Sequence, residues 1–232
     1  MRVSRLTPAI SLALLAACGG QLESQPRRAD AAPGFAALAA PDTAGTRALR
    51  AGRLGEARAD LERSLAADPD SIAALNDLAV SYYLDERFDA ARQLLEEVLA
   101  RGKPREQQAA LVNMGELYAL DGYLSAANAH LTSARAIDPA RPEPAYALAL
   151  LSDARGDRAG ALATMREALR LDEGGAARRD FAYLYPEERV HLEALVAEAA
   201  GDATQAEARW RELRSGRFPA LAQAAQRHLE EP

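Results

Sequence analysis

The stretch QAALVNMGELYALDGYLSAANAHLTSARAIDPAR, residues 108–141, reads as two amphipathic helices joined by a tight turn. Leu111, Met114 and Tyr118 recur at helical spacing before Asp121-Gly122, and Leu124, Ala127, Leu131 and Ala134 recur after it. Asp138-Pro139 stops the second helix, because proline cannot extend the hydrogen-bond ladder and restrains the residue before it. Gly115 and Ala127 are small where their neighbours are bulky, which lets the two helices approach closely, ridge into groove.

The same pattern surrounds it. AGRLGEARADLERSLAADPD from Ala51, DERFDAARQLLEEVLARGKP from Asp85 and RGDRAGALATMREALRLDEG from Arg155 align with the segment from Asp121. Their alanines Ala57, Ala91, Ala127 and Ala161 lie 34, 36 and 34 residues apart, with the two extra residues in the Arg101–Glu106 loop. This resembles the tetratricopeptide repeat, whose period is about 34 residues. The second repeat matches the signature at Leu75, Leu78, Ala79, Tyr82, Phe88, Ala91, Leu95 and Val98. The fourth keeps Leu148, Ala149, Gly156, Ala161, Met165 and Ala168, but has Ser152 for the aromatic and Glu173 for the closing proline. The resemblance implies an all-α, right-handed superhelical solenoid of antiparallel helix hairpins, with repeats near 42–71, 72–105, 108–141 and 142–174. An insert at 175–186 interrupts the period, and 187–232 reads as a degenerate hairpin and a capping helix, giving about five hairpins plus a cap.

The N-terminus has a different character. Arg2 and Arg5 precede an apolar run from Leu6 to Ala17, too short to span a bilayer, which takes ~20 residues. Leu15-Ala16-Ala17-Cys18 is similar to the bacterial lipobox, which implies a signal peptide over 1–17 and lipidation, palmitate included, at Cys18. Gly19, with no aspartate after the cysteine, points to the outer membrane, facing the periplasm. Residues 18–41, with Pro26, Pro33, Gly34 and Pro41, read as a flexible tether, and Phe35 and Leu38 could add a partial turn to the first helix.

Composition limits the chemistry. The formal charge is −6, or −8 once Arg2 and Arg5 leave with the signal, which argues against nucleic-acid binding. Cys18 is the only cysteine, and His130, His191 and His228 lie far apart in sequence without metal-ligand spacing. There is no P-loop, GxSxG or HExxH. The expectation is a protein without catalytic residues, metal, cofactor or small-molecule substrate.

In this repeat family the inner helices line a concave groove that holds a protein segment. The resemblance assigns to it Asn76, Asp77, Val80, Tyr83, Val112, Asn113, Glu116, Glu143, Tyr146 and Leu150. Asparagine can hydrogen-bond a peptide backbone in either direction. The alternative is a groove that is solvated or filled by the chain itself. The positions that grip a chaperone carboxylate in some members carry Asn76, Asp77, Asn113 and Glu116, with no basic residue, so a segment with few negative charges is expected. Phe181, Tyr183 and Tyr185 of the insert form a second candidate surface, with packing over a hairpin junction as the alternative. The layout is similar to the pilotins of type IV pilus secretins. It implies a lipid-anchored scaffold or adaptor that binds cell-envelope proteins and aids assembly or docking of a pilus, secretin or motility complex. The second reading is a structural or regulatory spacer that uses its convex face or the insert.

Overall fold

The computed structural model describes residues 31, 34–40 and 42–230. Cys18 and the signal peptide expected over 1–17 lie outside the described residues. Four hairpins follow in order: α1 (Ala44–Arg50) with α2 (Leu54–Ala67), α3 (Ile72–Leu84) with α4 (Phe88–Arg101), α5 (Pro104–Leu120) with α6 (Leu124–Ile137), and α7 (Glu143–Ala154) with α8 (Arg158–Leu171). The single turn α9 (Ala176–Arg179) leads to a fifth hairpin, α10 (Pro186–Ala200) with α11 (Ala203–Leu213), and α12 (Pro219–Glu230) closes the array. The all-α hairpin solenoid expected from the repeat is the fold observed.

The repeat alanines explain the close packing. Ala57, Ala91, Ala127 and Ala161 are fully buried, as are Ala79 and Ala149 on the facing helices. At Gly115 a methyl group would lie 2.7 Å from the Leu131 side chain, which would have to shift to admit it. Gly45 meets Leu61 in the same way and marks the equivalent position of the first hairpin. Counting back from Gly45 by repeat phase, a full first helix would begin near Leu38. It begins instead at Ala44, where Thr43 caps it and Thr46 reciprocates. Residues 34–40 are not helical. Phe35 and Leu38 therefore add no turn to α1.

Each hairpin covers the apolar face of the one before it, with the inner helices α1, α3, α5 and α7 in sequential contact. α10 packs on α8 and α7, and α12 packs on α11 and α7. Leu221 and Ala225 of α12 are buried while Gln223, Gln226 and Glu230 are more exposed. Among the described residues no helix is long and apolar enough to cross a membrane.

Candidate functional site: a groove with its own occupant

The concave face of the array is lined by polar side chains that would be costly to bury alone. Asn76 and Asp77 project from α3, and Asn113 and Glu116 from α5, all buried. What satisfies them is the chain's own residues 34–40. Gly34 N–H donates to Glu116 Oε2 at 2.7 Å, and Phe35 N–H also reaches this carboxyl. Asn113 accepts from Ala37 N–H at 2.7 Å and donates to Ala37 C=O at 3.0 Å. Asn76 donates to the same carbonyl at 3.1 Å and accepts from Asn113. Asp77 takes the N–H groups of Ala39 and Ala40 at 2.7 and 3.1 Å. Each of these bonds to the strap goes to its backbone, so they fix its path and register without reading its side chains.

The insert covers the strap from the other side. Ala36 and Ala182 exchange a pair of antiparallel backbone bonds, 2.8 and 3.1 Å. Phe35 is 0% exposed; its ring stacks on Phe181 and meets Tyr146 through the Phe181 ring, which Tyr146 contacts edge-on at 5.6 Å. The insert is held at both ends. Asp172 accepts the Tyr146 hydroxyl at 3.1 Å and the Ala177 N–H at 2.9 Å, and so seats α9. Arg50 of α1 reaches Asp180 at 2.5 Å, which ties the first hairpin to the insert that follows the fourth.

Two expectations are corrected here. The flexible tether expected over 18–41 does not hold for residues 34–40, which are bound in the groove. Phe181 is not a surface residue of the insert: it is buried against Phe35, and Tyr183 and Tyr185 are half-buried, the latter against Phe218 and Arg217. Among the groove candidates Val80, Tyr83, Val112, Tyr146 and Leu150 are buried beneath the strap or in the adjoining core, and Glu143 is half-buried at the edge.

The groove carboxyls are perturbed. Burial pushes Glu116 up to about 8, and the N–H groups of Gly34 and Phe35 only partly offset it. Burial likewise lifts Asp77 to about 6, against the N–H of Ala39, the Asn76 amide and the N–H of Ala40. Glu188 of α10, in an acidic pair whose sequence reads as a solvated helix face, is buried instead. It accepts Leu184 N–H at 2.6 Å and the Tyr83 hydroxyl at 3.4 Å, and burial together with the nearby Glu116 holds it well above the carboxylate range.

A second buried cluster was also missed. His191 of α10 and His228 of α12 both turn Nε2 toward Asp153 of α7, at 2.7 and 2.6 Å. His228 Nδ1 lies 2.6 Å from Glu198, which also takes Trp210 Nε1–H at 2.8 Å and Arg158 at 2.7 Å. Trp210 stacks on His228 at 4.0 Å. Burial lowers His228, but the hydrogen bonds to Asp153 and Glu198 outweigh it and its pKa is raised. Asp153 lies below the carboxylate range: burial raises it, and the two imidazoles overcome that effect. Both histidine side chains and Asp153 are 0% exposed, so the cluster fastens the terminal hairpin and cap to the repeats. Among the described residues no group of three or more His, Cys, Asp or Glu is arranged to hold a metal ion.

Residues 48–114 match the family model of the tetratricopeptide repeat. No curated protein matches the sequence. Among solved structures, the array is similar to TTC0263, a thermophilic tetratricopeptide-repeat protein of Thermus thermophilus. The identity is 21%, the TM-score 0.56, and the match covers 82% of this chain and 97% of that one. MamA matches at 15% identity and TM-score 0.44, over 81% of this chain and 98% of its own.

Proposed function

We propose that this tetratricopeptide-repeat chain is a lipid-anchored scaffold that holds an extended segment of a cell-envelope protein against its concave face and aids assembly or docking of a membrane complex. One observation carries the reading. The groove grips an extended backbone through Asn76, Asp77, Asn113 and Glu116, whose bonds to it all go to main-chain groups. The lipobox at Leu15–Cys18 supports anchorage, and the outer membrane facing the periplasm is the location that Gly19 favours. Pilus, secretin and motility machinery are the candidate complexes on layout alone.

The reading includes no catalytic role. The one His–carboxylate constellation found, Asp153 with His191 and His228, is closed to solvent, and general acid–base chemistry needs a substrate within hydrogen-bond reach. The second reading, a structural spacer, is favoured by the strap that already fills the groove. Against it, Tyr123, 37% exposed, is the lone exposed large apolar side chain among the described residues, so the convex face presents little to dock on.

The test is in-cell crosslinking with the tagged, full-length chain, followed by identification of what is recovered from the membrane fraction. Cys18→Ser should abolish palmitate incorporation and membrane retention. Recovery of no envelope protein above the Cys18→Ser control would reject the scaffold reading, and unchanged membrane retention would reject the anchor.

A further inference from the structure

We propose that residues 34–40 are a ligand in cis that closes the groove against a client of the same chemistry: an uncharged, extended segment of the form Gly-aromatic-small-small-Leu-small. The proposal rests on the client-holding reading above and adds the client's chemical class and the competitor it must displace.

The strap supplies the template. Gly34 is required by the groove wall, since a methyl group there would sit 2.4 Å from the Glu116 carboxyl. The next position is an aromatic slot, with Phe181 stacked on it at 3.6 Å and Tyr146 packed edge-on against Phe181. Ala36 and Ala37 are small where the chain is sandwiched between Ala182 and Asn113, with both backbones in hydrogen-bond contact. Leu38 borders a small hollow with Val112 and Gln108. Buried Asp77 and Glu116 line the path with Glu188 beside Glu116, and an ionised ligand carboxylate would lose its hydration among these carboxyls.

The bonds made to the strap are those any extended chain could make. The cis segment wins because only Pro41 separates it from Asp42 and the first hairpin. So short a connection holds it at an effective concentration on the order of millimolar, and a free segment at micromolar concentration is outcompeted by roughly 10³-fold. A client must therefore arrive at high local concentration, as a membrane-confined partner does, or engage a second contact.

The experiment uses the chain from Gly19 to Pro232 with a specific protease site inserted between Pro41 and Asp42. A fluorescent peptide with the sequence of residues 31–42, AAPGFAALAAPD, is the probe, read by anisotropy. The intact chain is expected to show no saturable binding at tens of micromolar peptide. After cleavage the peptide should exchange into the groove, with an apparent affinity at least ~100-fold tighter. The same peptide with alanine in place of its phenylalanine should fail to bind. Phe35→Ala in the uncut chain should open the groove to the wild-type peptide.

Equal binding to cut and intact chain would overturn the cis closure while leaving the client-holding reading in place. A cut chain that keeps its strap through gel filtration and takes up no peptide would make the strap a permanent part of the core, and both readings of the groove would fall. Loss of helicity on cleavage, followed by circular dichroism, would overturn the proposal as well.

Discussion

Phe35 and Phe181 stack ring on ring, centroids 3.6 Å apart and planes 6° from parallel, one on the strap and the other on the insert that covers it. Neither residue belongs to a repeat. Their pairing couples the two non-repeat segments of the array, and Tyr146, edge-on to Phe181, joins the pair to the fourth hairpin. Phe35→Ala removes the largest side chain of the strap. A buried Phe→Ala change costs about 3–5 kcal/mol when the surroundings stay in place. Here the strap can leave the groove, so the loss in urea denaturation is expected toward the lower end. Amide exchange should quicken at Ala37, Ala39 and Ala182 and stay slow in α5 and α6. Uniformly faster exchange throughout the array would show that the strap is not a separable unit.

Gly115 tests the repeat itself. The second and fourth hairpins carry Ala79 and Ala149 at this position, but at Gly115 an added methyl would press on the Leu131 side chain. Gly115→Ala is expected to destabilise by about 1–3 kcal/mol through overpacking. The peptide-binding behaviour of the cut chain should be unchanged, because the Gly115 contact lies in the α5–α6 seam and not against the strap. A neutral or stabilising effect would mean that Leu131 yields at no cost.

The hairpins were legible because their burial is periodic: the spacing of Leu111, Met114, Tyr118, Ala127 and Leu131 encodes which face turns inward. The strap was not, because GFAALAA is extended and too short to show a period, and its burial is decided by Asn113 and Glu116 far along the chain. A signal was present in hindsight: an apolar run bounded by Pro33 and Pro41 in front of a groove lined by amides and carboxyls that need partners. The same limit hid the histidine pair. His191 and His228 meet because α10 and α12 both pack on α7, a fact of topology that spacing does not carry.

Asp153 is the residue on which the C-terminal cap depends. Asp153→Ala leaves two buried imidazoles facing a void, and breaking a buried charged pair from one side costs about 3–5 kcal/mol. Asp153→Asn keeps an acceptor oxygen and should cost less. Trp210 is the only tryptophan and stacks on His228, so its fluorescence reports on this cluster alone. A pH titration should show a step at the raised His228 pKa, and Asp153→Asn should move that step to lower pH by removing a charge that favours the imidazolium. A step that does not move would show that Glu198 alone sets the His228 pKa.

The groove carboxyls give the chain an unusual pH dependence. Glu116 rises from 4.5 to about 8 on folding, Asp77 from 3.8 to about 6, and Glu188 rises as well. Between the unfolded and folded values the native chain binds more protons than the unfolded one, so stability falls as pH rises across that window. His228 acts in the same direction: its contribution is full below 6.5 and is lost as pH passes its raised folded value. Asp153 and Glu198 are lowered, so they stabilise above their unfolded values and lose that contribution only in acid. The melting temperature is therefore expected to peak near about pH 5 and to decline steadily to about pH 8.5. Glu116→Gln keeps an oxygen for Gly34 N–H and removes one titration, so it should flatten the decline and raise stability at the alkaline end. A wild-type profile that is flat or rising between those limits would contradict the burial of these carboxyls beneath the strap.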